Sequence, residues 1–379
     1  MKKILSLLLM ISILITIPIV VNAKSDISIL TNKNYKYAYV DGGVRILEYI
    51  GKSKKVNVPA EIDGKKVIKI GLDDYDPPYR KKLGLSGDEN GGFSRNHNIE
   101  EVVIPKSIEL SMGVFKYCTN LEKVIVKSGI KDINRDAFKY CEKLKEVSIP
   151  NTVKEIHEWA FRNCKNLKKI ELPSSLEFIH SMAFRNSGIS KIKLGKKFKS
   201  LESNAFYKSK LKSITVSKKN KKLSSKKGVL YNKKKTKLIC YPPNKSKKTF
   251  SILNKVKKIS EEAFCENRRI NSVIISENVS IIDYCCFLDC SNLRKLTIKS
   301  KRKLLIEEEA FLGCKKMKSV TLPKNVKKIA KYAFGYKLKK YYNEYKRVRV
   351  NGFTIKGYKG TVAEKYAKKN GFKFIALDK

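Results

Sequence analysis

Ala137-Phe138-Lys139-Tyr140-Cys141 returns as Ala160-Phe161-Arg162-Asn163-Cys164, and Ala183-Phe184 follows. Phenylalanines stand at 115, 138, 161 and 184, a period of 23 residues. Cys118, Cys141 and Cys164 keep step with them. So do Leu121, Leu144 and Leu167, then Val124, Val147 and Ile170, then Val126, Ile149 and Leu172. A fixed period of roughly 20–50 residues, shared by several independent positions, is the signature of a solenoid. Each unit reads Ala-Phe-x-x-Cys-x-x-Leu-x-x-Val-x-Ile-Pro-x-x-Val-x-x-Ile, as in residues 137–156. The Leu-x-x-Val-x-Ile stretch alternates apolar and polar residues at its end, which predicts a short strand with one face inward. Pro150, Pro173 and Pro323 stop that strand, because proline donates nothing to a ladder. The Ala-Phe stretch is expected to form a short helical or 3₁₀ turn opposite. The fold class is therefore an α/β repeat solenoid, with short strands stacked about 4.8 Å apart into one long parallel sheet.

Working outward, further phenylalanines of the series stand at 93 and 206, then at 264, 287, 311 and 334. Between Phe206 and Phe264 the pattern breaks for 58 residues. Gly228–Asn232, a lysine-rich turn with Lys233, Lys234 and Lys235, and Leu238–Tyr241 predict a β-hairpin there. On the N-terminal side, Tyr35–Val40, Val44–Leu47, Val56–Val58 and Val67–Ile70 read as strands around the turn signals Asp41-Gly42-Gly43 and Asp63-Gly64. The acidic insert 73–92 carries Asp73, Asp74, Asp76, Asp88 and Glu89, a set that could gather a calcium ion, but its spacing matches no dedicated calcium loop and a solvated surface loop is the preferred reading. At the other end Thr361–Asn370 has helical spacing, Asn370-Gly371 stops it, and Phe372–Leu377 closes as a strand. The expected organisation is a signal peptide over 1–23, an N-terminal β cap with its insert over 24–92, and repeats over 93–216. An irregular hairpin-containing repeat over 217–258, repeats over 259–340 and a C-terminal cap over 341–379 complete it. The leader has a charged Met1-Lys2-Lys3, an apolar Ile4–Val21 and a Val-x-Ala ending at Ala23. That suits a cleaved secretory signal, the alternative being a retained membrane anchor. No further membrane span is expected after cleavage.

The chain holds 83 Lys+Arg against 35 Asp+Glu, a formal charge of +48. Only 12 of the cations are arginine, so 83 − 12 = 71 are lysine. Lysine is a strongly hydrated point charge, whereas readers of phosphate and bases favour the planar arginine fork. A compositional bias over solvated faces and a functional basic surface for an anionic partner both fit. No sequence-specific nucleic-acid partner is expected, and the outward row has no aromatic stripe for stacking bases, which argues against single-stranded nucleic-acid binding.

Catalytic chemistry has little to stand on. The histidines are His97, His157 and His180, and the last two, 23 apart, report the repeat. No phosphate loop, Gly-x-Ser-x-Gly or His-Glu-x-x-His occurs. No catalytic residue, cofactor or metal ligand is assigned. The nine cysteines include Cys118, Cys141, Cys164, Cys290 and Cys314, each three after a phenylalanine, in a slot that elsewhere holds Asn96, Asn267, Ser187 or Ser209. A slot that accepts Cys, Asn or Ser predicts a buried turn position satisfying backbone groups. Free thiols are therefore preferred over disulfides there.

The motif Ile-x-x-x-Ala-Phe-x-x-Cys-x-x-Leu-x-x-Ile-x-Ile-Pro resembles the bacterial leucine-rich repeat of the BspA-like, or Treponema pallidum, type over roughly residues 93–336. Val56-Asn57-Val58-Pro59 with Ile62-Asp63-Gly64, and Gly357–Thr361 with Asn370-Gly371, resemble that family's caps. The resemblance implies a leucine-rich-repeat array in a secreted or surface protein, in some members an adhesin, with no catalytic residues to carry over. The concave sheet is where a curved solenoid offers an extended binding surface. Outward-pointing candidates are Lys123, Glu146, Ser148, Lys169, Glu171, Lys191, Lys193, Ser213, Thr215, Lys295, Thr297, Ser319 and Thr321. The expected partner of a monomeric chain is a protein or glycan, including a host surface. The alternative is a polyanion such as wall teichoic acid, glycosaminoglycan or nucleic acid, held through charge.

Overall fold

The computed structural model describes residues 28–73, 76–85, 90–127, 129–202, 204–341 and 344–377. The expected signal segment lies outside them, as do Asp74, Asp88 and Glu89 of the acidic insert. The described chain winds as a parallel-stranded solenoid. Its principal sheet is built from the Leu-x-x-Val-x-Ile stretches. Lys55–Asn57, Glu101–Ile104, Lys123–Val126 and Glu146–Ser148 pair in parallel, with Val56, Val102, Val124 and Val147 in register. Lys191–Leu194 pairs with Ser213–Val216, Thr249–Ser251 with Ser272–Ile275 and then Lys295–Ile298, and Ser319–Thr321 with Thr354–Gly357 and Lys373–Ala376.

Two expectations need correction. The first is the single continuous sheet. Lys169–Leu172 forms no strand, so the principal sheet is broken after Glu146–Ser148. At this rung the cross-links are few and long: Asn166 donates to the Glu142 carbonyl at 3.2 Å and Ser190 to that of Lys168 at 3.3 Å. The unit that follows is shorter, with Ser187 to Ile189 spanning two residues where Cys164 to Leu167 spans three. A second parallel ladder, built from the isoleucines that end each unit, runs beside the first. Asp132–Ile133, Glu155–Ile156, Phe178–Ile179 and Ser200–Leu201 pair in sequence. Lys237–Cys240 leads a similar series through Lys258–Ile259, Ile281–Ile282, Leu304–Ile306 and Val326–Ile329.

The second correction concerns the Ala-Phe stretches, which are turns and not helices. Most visit the left-handed region twice, as at Asp136 and Tyr140, and again at Trp159 and Asn163. A residue there cannot continue a right-handed helix. Alternate backbone N–H groups point along the solenoid, Phe115 donating to the Ala137 carbonyl at 2.9 Å and Tyr117 to that of Lys139 at 2.8 Å. Lys116 and Cys118, between and after them, close 3₁₀-type bonds within the turn to Gly113 and Phe115 at 2.9 and 3.1 Å. Only Pro77–Lys82 and Val362–Asn370 are α-helical among the described residues. Neither they nor any other described helix is long and apolar enough to cross a membrane.

The phenylalanines form a column inside the coil. Phe93, Phe115, Phe138, Phe161, Phe184 and Phe206 stack with centroids 5.2–5.4 Å apart. A second column runs from Tyr241 through Phe264, Phe287 and Phe311 to Phe334 at 4.5–4.8 Å. Each buried ring contributes about 1.5–3 kcal/mol by area, and stacking adds about 0.5–1.5 kcal/mol. Tyr49 meets Phe93 at 5.2 Å, where the Tyr35–Val40 and Gly43–Tyr49 hairpin covers the first rung. Between the columns Leu223–Lys226, Val229–Asn232 and Lys237–Cys240 form an antiparallel meander, which contains the expected hairpin. The apolar core divides there into two clusters.

Candidate functional site

Strand alternation places the candidate residues of the principal sheet outward. Val124, Val147, Ile192, Ile214, Leu296 and Val320 are buried, while their neighbours Lys123, Glu146, Ser148, Lys191, Lys193, Ser213, Thr215, Lys295, Thr297, Ser319 and Thr321 are exposed or half-buried. Lys169 and Glu171 are exposed too, but on irregular backbone. They do not belong to the ordered row.

Register decides which of these meet. Lys123 lies opposite Glu146, and the two form a solvated ion pair at 3.7 Å. Such a pair contributes little. Lys191 and Lys193 face Ser213 and Thr215, with no carboxylate partner among the described residues. Ser272 faces Lys295 and Ile274 faces Thr297. The row is therefore mixed at its start, cationic in the middle, and hydroxyl-bearing towards its end.

At that end the face deepens. Arg294, Lys295, Thr297, Ser319, Thr321 and Tyr358 line a groove of about 360 Å³. Four of these residues are in the outward row. Tyr358 follows the strand Thr354–Gly357, which extends the sheet beyond Ser319–Thr321, so repeat spacing alone does not reveal it. The Lys324 ammonium sits 4.8 Å from its ring centroid. Leu296, Ile298, Leu322, Pro323 and Leu377 also line it, so two cations, an aromatic ring and several hydroxyls stand beside apolar side chains, a mixture that suits an amphipathic, partly anionic ligand.

The cysteine slot is structural. Cys118, Cys141, Cys164 and Cys290 are buried, and their thiols donate to the carbonyls of Phe93, Phe115, Phe138 and Phe264 at 2.9–3.1 Å. Asn267 does the same at its rung, donating to the Pro242 carbonyl at 2.8 Å. Burial pushes all these thiols well above their ordinary pKa. They are not nucleophiles at neutral pH.

In the acidic insert Asp73 and Asp76 are engaged by cations. Arg45 donates to Asp76 at 2.6 Å and to the Gly71 carbonyl at 2.8 Å, and Lys69 reaches Asp73 at 2.6 Å. Burial raises the Asp76 carboxyl, but the Arg45 guanidinium and the Asp73 N–H outweigh it and hold the group below its usual value.

Three comparisons bear on this architecture. A search of the curated proteins finds no match. Among solved structures, a leucine-rich cell surface protein from Faecalibacterium prausnitzii A2-165 superposes with a TM-score of 0.62 at 21% identity, covering 93% of this chain and 95% of that one. The pneumococcal vaccine antigen PcpA gives 0.62 at 21%, with 93% and 99% covered. A leucine-rich repeat protein from Eubacterium ventriosum gives 0.52 at 24%, with 80% and 86% covered. These likenesses establish the fold. The model of the BspA type leucine-rich repeat region matches six copies, over residues 88–147, 108–237 and 240–345. With its repeat matched over most of its length and its rungs stacked as that repeat requires, this chain belongs to the BspA-type leucine-rich repeat family.

Proposed function

We propose that this protein is a non-catalytic, exported surface protein that binds a protein or glycan partner across the outward face of its principal sheet. The observation that supports this most directly is the groove at the end of the row, where Lys295, Thr297, Ser319 and Thr321 meet Arg294 and Tyr358. The cell-surface description of one structural neighbour agrees with the setting. A rigid ladder presents such groups at fixed spacing, which lowers the ordering cost of binding.

The test is binding of the mature chain, residues 24–379, to arrays of glycans and extracellular-matrix proteins. A captured ligand should lose at least tenfold in affinity on Tyr358→Ala and on the double change Lys191→Glu, Lys193→Glu. If every captured ligand binds both variants as tightly as the parent, this face is not the binding surface.

A second reading rests on the formal charge of +48 and on the unpaired middle of the row. Here the chain holds an anionic wall polymer or glycosaminoglycan by charge. Retention on purified cell walls and on heparin across a salt series separates the two, because binding by counterion release falls steeply with salt. Negligible retention at low salt excludes the polyanion reading.

A further inference from the structure

His157 and His180, read from the sequence as marks of the repeat, are brought face to face by it. Their rings stack with centroids 5.0 Å apart and planes 8° from parallel. Glu155 precedes His157 by two residues, so both project from the same side of the second ladder. His180 Nε2 lies 2.8 Å from a Glu155 carboxylate oxygen, and His180 Nδ1 lies 3.1 Å from Glu202, one rung further on. One ligand atom each from Glu155, His157 and His180 falls within 4.8 Å of the other two, and all three residues are half-buried.

We propose that Glu155, His157 and His180 form a binding site for a divalent transition-metal ion of the zinc class. Two imidazoles and one carboxylate are a donor set that zinc takes readily, with a fourth position left to water. Ligand atoms on a tetrahedral zinc ion are roughly 3.3 Å apart, given bonds of about 2.0–2.2 Å. Closing from the observed spacing requires the two stacked rings to turn out of parallel so that their lone pairs converge. Glu202 supplies what a bare cluster lacks. Its carboxylate accepts the Nδ1–H of His180 while Glu155 accepts the Nε2–H of the protonated ring, and loss of the Nε2 proton frees that lone pair for a metal. That is the carboxylate–histidine arrangement that orients metal ligands. A proton on His180 Nε2 competes with a metal ion for the same lone pair. Metal entry therefore releases a proton. Because the donors come from two rungs with the orienting carboxylate on a third, a bound ion would also clip neighbouring turns together.

The test is calorimetric titration of zinc into the metal-free mature chain at about pH 8, where histidine is neutral, with thermal melts in parallel. The expected result is saturation at one equivalent, a rise in melting temperature, and reversal by chelator. His157→Gln should weaken binding at least tenfold, and Glu202→Gln about 10–100-fold. His97→Gln, remote in the repeat array, should leave it unchanged. Circular dichroism of the metal-free variants separates loss of ligand from loss of fold. Absence of a one-equivalent phase at micromolar zinc, or equal binding by the His157→Gln and His97→Gln chains, would overturn the proposal.

Discussion

The ring of Tyr241 stacks on that of Phe264 with centroids 4.7 Å apart, in the place a phenylalanine occupies at every other rung of the column. It stands 23 residues before Phe264 and is buried among the largest core side chains. Its hydroxyl is enclosed without a hydrogen-bond partner among the described residues. An unsatisfied buried hydroxyl costs about 1–3 kcal/mol. Tyr241→Phe should therefore raise the melting temperature, while Tyr241→Ala should destabilise by about 3–5 kcal/mol. Denaturant unfolding of both variants checks the pair; a Phe variant less stable than the parent would contradict it.

The thiols should be silent in the native state. All nine are buried, and burial alone pushes Cys240 up to about 12. Ellman's reagent at neutral pH should react slowly with the folded chain over residues 24–379 and with nine equivalents after denaturation. Fewer than nine in the denatured, unreduced protein would reveal disulfides.

Asp76 ties the acidic insert to the buried Arg45. The Asp76 carboxyl is held below its unfolded value of about 3.9. Its stabilisation is thus complete above that unfolded value and is lost as pH falls through the lower folded one. Asp76→Asn should cost about 1.5–3 kcal/mol at pH 7, the range for a hydrogen bond to a charged group. The difference should shrink as pH falls through the lowered folded value and vanish below it. Melting temperatures of parent and variant over an acid series test the sign as well as the size.

Gly228 sits at φ +77° between Lys226 and Val229, and a Cβ there would come within 2.6 Å of Ser213 Oγ. Its carbonyl accepts the Ile214 N–H at 3.0 Å, so the meander is seated on the edge of the principal sheet. Gly228→Ala meets both left-handed backbone strain, about 1–2 kcal/mol, and a steric overlap. Gly64→Ala, at φ +70° with open space around it, meets only the first. The Gly228 variant should be the less stable of the two and the more readily cleaved by protease within the meander. Equal melting temperatures would show that this contact carries no weight.

The repeat, the parallel strands, the aromatic column and the buried cysteine slot follow from the sequence alone. Each depends on a position recurring every 22–24 residues, and recurrence leaves a visible trace in Phe115, Cys141 or Val124. The outward direction of Lys191, Lys193 and Thr321 is legible for the same reason, since alternation along a strand needs no knowledge of the neighbours. What the rungs do to one another was settled only in three dimensions. Hydrogen bonds between turns such as Phe115 to Ala137 alternate with the 3₁₀-type bonds expected within them, and Lys169–Leu172 forms no strand although its apolar spacing matches that of its neighbours. Tyr241 joins the column although it is not phenylalanine, and Tyr358 joins the groove from outside the repeat. Glu155, His157, His180 and Glu202 meet because residues a full turn apart along the chain lie one strand spacing apart in space. Stacking turns sequence distance into contact, and periodicity alone does not say which side chains will then touch.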